Sequence, residues 1–243
     1  MENTTKKAMS IRKSRELSEQ LENVVLENGG TTLHSAKYHL LPADLRTPPT
    51  ESVASLLIST SPPSSHREGP ILSPDLPTLL LFECVLVYVA PEASRAFIQW
   101  FVDYFASSSV LGAVVYEMFG LNDPFGAVMV ENLKVRGVSL PGAEPYPTFE
   151  SLPQRFTRHK FTTSKALTLH EIRKTLISSE EMQRISSLEM LDEIEELDLV
   201  LAHYAVTWGV KLPSDQQLSP ASKWIEWGLK APACSDHPDS DSD

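Results

Sequence analysis

The stretch "LLLFECVLVYVAPEASRAFIQWFV", Leu79 to Val102, decides how this chain is read. Thr78 to Phe82 is an apolar run of strand length, and it closes on Glu83, a carboxylate embedded among apolar neighbours. Burying an ionised carboxylate is unfavourable unless a partner or a ligand meets it. Pro91 suits the first turn of a helix, and Phe97, Ile98, Phe101 and Phe105 then fall on one helical face. "VLGAVVYE" (Val110 to Glu117) is a second buried strand, and Pro124 to Val135 is a further helix with Phe125, Val128, Met129 and Leu133 on one face. Strand–helix–strand–helix order predicts an α/β fold, a parallel sheet covered by helices.

Outward from this centre the signals weaken. Ser10 to Glu27 carries Leu17, Leu21, Val24 and Val25 at helical spacing, and Asn28-Gly29-Gly30 reads as a helix stop. Tyr38 to Ala43 reads as a short strand ending at Asp44, and Glu51 to Ile58 as a short helix. Residues 59–77, rich in Pro and Ser, form an exposed loop on this reading. Beyond Gly137 the pattern predicts a short helix over 151–159 and a strand over 161–166. It continues with helices over 169–177 and 191–200, a strand over 203–211 and a small helix over 222–229. The acidic tail "CSDHPDSDSD" is expected to be disordered.

The chain has 243 residues and a formal net charge of −11, so it has no basic surplus to neutralise phosphates. That balance argues against nucleic acid or an anionic membrane as partner. Cys84 and Cys234 are the two cysteines, without disulfide framework or metal-ligand spacing, and the histidines show no ligand spacing either. No metal is expected. No apolar leader core and no run of about 18 apolar residues is present, so the expected compartment is the cytoplasm.

Asp44 and Glu83 share a position type, each closing an apolar run where the chain turns toward a helix. In open α/β sheets, ligands bind at the carboxyl ends of strands. Two acids arriving there suit a ligand that is cationic or offers N–H and O–H donors. Asp44 reads equally well as a turn cap. The residue pattern alone therefore stops at an α/β ligand-binding domain.

Four segments carry a resemblance. "PTLLLFECVLVYVAPEASRAFIQWF" (Pro77 to Phe101), "YHLLPADLR" (Tyr38 to Arg46), "VVYEMFGLNDPFGAVMVENLKVRG" (Val114 to Gly137) and "RISSLEMLDEIEELDLVLAHYAVTWG" (Arg184 to Gly209) resemble, in family order, the leucine carboxyl methyltransferases. These are S-adenosylmethionine-dependent enzymes with a Rossmann-like sheet. They methylate the C-terminal leucine of the protein phosphatase 2A catalytic subunit. The resemblance implies that Asp44 and Leu45 contact the adenine and that Glu83 lies near the positively charged methionine portion of the cofactor. It implies that Tyr116 sits near the transferred methyl as the catalytic-site tyrosine; a strand-end tyrosine packed in the core is the plainer reading of that residue. The substrate carboxylate is itself the nucleophile, so no general base is required.

On this resemblance the chain divides into an N-terminal helix and loop (1–37), a methyltransferase domain (38–211) and a C-terminal extension (212–243). The family's early strands and Gly-rich cofactor turn have no counterpart, and the expectation is an N-terminally shortened form whose cofactor cradle is incomplete. The edge of the strand over 78–82 would then be unpaired. Two alternatives stay open: a non-catalytic phosphatase-binding module of the same fold, and the tRNA-modifying sibling branch, against which the acidic charge weighs.

Overall fold

The computed structural model describes residues 2–58, 70–105, 109–213 and 223–230. The chain forms two compact units, residues 1–73 and 74–243. Most of the Pro/Ser-rich segment over 59–77, and the acidic tail, lie outside the described residues.

The first unit departs from the expected single helix. Helix α1 (Glu2–Lys13) ends at Ser14, which caps a second helix, α2 (Arg15–Leu21), by accepting from the Leu17 N–H at 3.3 Å. Glu22 and Asn23 then take positive φ, 56° and 47°, which a helix does not tolerate. The chain continues as β1 (Val25–Glu27), β2 (Thr32–His34) and β3 (His39–Leu40) in a three-stranded antiparallel meander. Asn28-Gly29-Gly30 is therefore a hairpin turn and not a helix stop, with Gly29 and Gly30 at φ 66° and 85°. Ala8, Ile11 and Leu33 form the buried centre, and Leu21, Val24, Leu26, Tyr38 and Leu40 pack on it. Leu17 and Val25 of the expected stripe stay 49% and 39% exposed, because the helix stops before the stripe is complete. Two four-residue helices follow, α3 (Pro49–Ser52) and α4 (Ala54–Leu57).

The second unit is a mixed α/β layer, as the strand–helix order predicted. Strand β4 (Thr78–Glu83) pairs in parallel with β5 (Leu111–Met118), and α5 (Pro91–Tyr104) makes the crossover between them. Pro91 opens α5, and its apolar face reaches the sheet through Phe97, whose ring meets Phe82 edge-on at 6.1 Å. Helix α6 (Pro124–Val135) begins at Asp123, whose Oδ1 accepts from the Gly126 N–H at 2.7 Å. It docks shallowly: Phe125, Met129 and Leu133 are half-buried, whereas Val128 is 61% exposed.

Beyond α6 come α7 (Gln154–Thr157), β6 (Thr163–Thr168), α8 (Leu169–Thr175), α9 (Ser179–Ser186), α10 (Ile194–Ala202) and β7 (Tyr204–Lys211). Thr168 and Glu171 form a reciprocal capping box at the start of α8. The cap of α9 is Ser178, accepting from the Glu181 N–H at 3.2 Å. Residues 223–230 form turns instead of the small helix expected there.

Sheet order is β4-β5-β7-β6, with β7 antiparallel to both neighbours. The two central strands are buried along most of their length, while β4 alternates. Leu80 and Phe82 face the core, and Leu79 and Leu81 are 55% and 68% exposed. Among the described residues β4 pairs with β5 alone, so it is an edge strand carrying exposed leucines.

Candidate active site at the carboxyl end of the parallel pair

Parallel pairing places Glu83 of β4 opposite Tyr116 of β5, at the carboxyl ends of both strands. Directly after Glu83 the chain breaks out of the sheet. Cys84 takes φ 46° while its N–H still donates to the Tyr116 carbonyl at 2.8 Å, and a one-turn helix, Leu86–Tyr88, leads to Pro91. Strand β7 starts at the same end, and the Tyr204 ring lies 5.6 Å from that of Tyr116, tilted by 36°. Glu83, Cys84, Tyr88, Tyr116 and Tyr204 thus gather at one end of the sheet.

Glu83 occupies a different environment from the one its neighbours suggested. Its side chain is exposed, because residues 79, 81 and 83 share the uncovered face of β4. It makes no ion pair or hydrogen bond among the described residues. The groups around it are neutral: burial first, then Cys84 and Glu83, raises the Tyr116 phenol above its usual range. Burial and the neighbouring Cys84 likewise raise Tyr88 and Tyr204. Burial, Glu117 and Glu83 together raise the Cys84 thiol. The cluster at neutral pH therefore presents one exposed carboxylate beside three protonated phenols. Such a donor set binds positive charge and hydroxyl or amine donors, and it offers no phenolate or thiolate to act as a base.

The buried carboxylate of this region is Glu117, one residue beyond Tyr116. It is 4% exposed; its Oε1 accepts from the Val87 N–H at 2.8 Å, and its Oε2 from Arg155 Nη1 at 2.8 Å. Arg155, itself 5% exposed, lies 4.3 Å over the Tyr146 ring. Burial raises the Glu117 pKa, against the opposing pull of Arg155 and the Val87 and Leu86 amides. The signal was present in the sequence, since Glu117 interrupts the apolar run "VVYEMF" just as Glu83 interrupts its own. A further tie crosses the same end of the sheet: His203 Nε2 lies 3.1 Å from both carboxylate oxygens of Asp123, and its ring lies 4.8 Å from that of Phe125, tilted by 39°.

Asp44 and Leu45 belong to the first unit. The Asp44 carboxylate accepts from the Arg46 backbone N–H at 3.0 Å and from its guanidinium at 2.9 and 2.6 Å. Those Arg46 contacts hold its pKa down to about 2. This is turn-cap geometry, and the carboxylate stays ionised and half-exposed within it; Leu45 is half-buried. No three His, Cys, Asp or Glu side chains converge as a metal site among the described residues. No helix there is long and apolar enough to cross a membrane.

No model of a known protein family matches the chain. Individual proteins do. A leucine carboxyl methyltransferase 1 of Cryptococcus neoformans is 49% identical over 191 residues, covering 76% of this chain and 51% of the relative. Its counterpart in Aspergillus fumigatus is 34% identical over 213 residues, covering 84% of this chain and 54% of its own length. That of Bos taurus is 32% identical over 211 residues, covering 85% and 59%. The chain thus spans between about half and three-fifths of these curated relatives.

Proposed function

Since the chain belongs to the leucine carboxyl methyltransferase family, we propose that it takes part in methyl transfer from S-adenosylmethionine to the α-carboxylate of a C-terminal leucine, that of the protein phosphatase 2A catalytic subunit. The observation that carries the reading is Glu83, an exposed carboxylate without an ion pair among the described residues, beside Tyr116, Tyr88 and Tyr204 at the carboxyl end of a parallel strand pair. When bound, S-adenosylmethionine supplies an electrophilic methyl group on a positively charged sulfur.

The residues match that demand. Glu83 supplies a negative charge for the cofactor's cationic methionine portion, and the tyrosine ring faces add favourable electrostatics for a cation. Tyr116, held in register with Glu83, orients the reacting groups. A leucine carboxylate has no proton to lose, so a set of neutral phenols is sufficient, and positioning supplies much of the rate. Opposite charges approach one another in this reaction, and a site sheltered from water favours their cancellation.

The test joins this chain to the unmatched half of the Cryptococcus relative and titrates S-adenosylmethionine by calorimetry. Glu83→Ala should weaken binding about ten- to a hundredfold, the loss of one charge-assisted contact of about 1.5–3 kcal/mol. Unchanged affinity would remove Glu83 from the site. Labelled methyl should pass to a peptide ending in leucine and not to the same peptide with an amidated terminus. Capture of the phosphatase by the 243-residue chain without methylation would favour the binding-module reading.

A further inference from the structure

The segment that follows Glu83 has a conformation its own residues do not impose. Cys84 sits at φ 46°, in the left-handed region that non-glycine residues avoid, and Leu86 to Tyr88 form a single 3₁₀ turn. Two contacts hold this turn. From the sheet side, Glu117 accepts from the Val87 N–H at 2.8 Å, with the Leu86 N–H contributing, and Arg155 locks the far oxygen of the same carboxylate at 2.8 Å. From the other side Gly142 lies flush against the turn: a Cβ there would collide with the Leu86 carbonyl oxygen and come within 2.9 Å of Val87 Cα. Leu86 and Val87 are accordingly 1% and 0% exposed, whereas Tyr88, the next residue, is 42% exposed.

An ordinary core position does not call for an ion pair. A buried Glu–Arg pair adds little net stability over apolar residues of similar volume. What it adds here is direction, because a carboxylate can receive two backbone N–H groups and fix a turn that hydrophobic contact would leave free to slide. We propose that the Glu117–Arg155 pair is a positioning device: it clamps the Cys84–Tyr88 turn and so sets Glu83 and Tyr88 at the carboxyl end of the sheet without itself touching a ligand. This rests on the site reading given above for its purpose, but its test does not.

The test is amide hydrogen exchange of the 243-residue chain, comparing the parent with Glu117→Gln and with the double variant Glu117→Met/Arg155→Met. The double variant removes both charges together and so leaves no unpaired buried ion. Exchange at Leu86 and Val87 should accelerate about tenfold or more in the double variant, as buried hydrogen bonds are lost. Amides of β5 and β7, such as those of Val115 and Trp208, should stay within about threefold. Glu117→Gln keeps an acceptor for Val87 but leaves Arg155 buried without a counter-charge, so its acceleration should be spread over the unit and not concentrated at Leu86 and Val87. Unchanged exchange at Val87 in the double variant would overturn the proposal. So would acceleration spread evenly through β5 and β7 in that double variant, which would make the pair a general core element. If the local effect is seen but Glu83→Ala leaves cofactor affinity intact in the joined protein, the clamp stands and the site reading fails.

Discussion

Arg155→Ala is the sharpest perturbation of the second unit. It leaves Glu117, 4% exposed, with backbone amides as its partners and no counter-charge. Removing one partner of a buried pair costs about 3–5 kcal/mol, because the remaining charge stays buried and uncompensated. Loss of the guanidinium from the Tyr146 face adds up to about 2 kcal/mol. For a unit of this size each kcal/mol lowers Tm by about 2–4 °C, so the total of about 3–7 kcal/mol corresponds to a fall of roughly 6–28 °C. All four tryptophans, Trp100, Trp208, Trp224 and Trp227, lie in residues 74–243, so their fluorescence follows this unit selectively. The loss should depend on pH with a definite sign. Burial already raises the Glu117 pKa above its ordinary value, and removing Arg155 raises it further. A carboxyl whose folded pKa is raised penalises the folded state above that value, and the penalty disappears as pH falls through it toward the unfolded value. The deficit of Arg155→Ala should therefore shrink between pH 8 and pH 5, while the double methionine variant stays near the parent at both. A deficit below about 1 kcal/mol at pH 8, or one equal at pH 5 and pH 8, would refute the assignment of Glu117 as an ionised, buried partner of Arg155.

Two further outcomes follow from the geometry. Exposed Leu79 and Leu81 on the edge strand should make the chain oligomeric or poorly soluble, and Leu79→Lys/Leu81→Lys should return a monomer by sedimentation without lowering Tm; a parent chain that is already monomeric, with slow exchange at Leu80 to Phe82, would show the edge to be covered. Asp123, whose pKa is lowered chiefly by the Gly126 N–H and also by His203, supports the folded state above its unfolded value near 3.8 and ceases to do so as pH falls through its depressed folded value; Asp123→Asn should flatten the acid limb of a Tm–pH profile, and an unaltered limb would exclude it.

Local chemistry made much of this protein legible. Pro91 and Pro124 marked the starts of α5 and α6, and the apolar runs before Glu83 and around Val115 marked the parallel pair, because these signals are carried by neighbouring residues. Four segments in family order placed the chain among the leucine carboxyl methyltransferases before any pairing was known. Strand neighbours were a different matter. Whether an embedded carboxylate is buried depends on which face of the sheet it points to and what covers that face, which no local pattern records. At the edge, alternation sends Glu83 outward with Leu79 and Leu81; in β5 it sends Glu117 to the covered face with Ala113 and Val115, where it must find Arg155, 38 residues away, while Val114 and Tyr116 on the other face stay half-buried. The same holds for Asn28-Gly29-Gly30, which stops a helix or turns a hairpin with equal ease, and became a hairpin because Leu26 and Leu33 pair across it and pack onto Ala8 and Ile11. Composition and periodicity determined which segments are apolar and where they begin; tertiary pairing alone decided which carboxylate stays exposed and which is buried, since desolvation is a property of the assembled sheet and not of the residue.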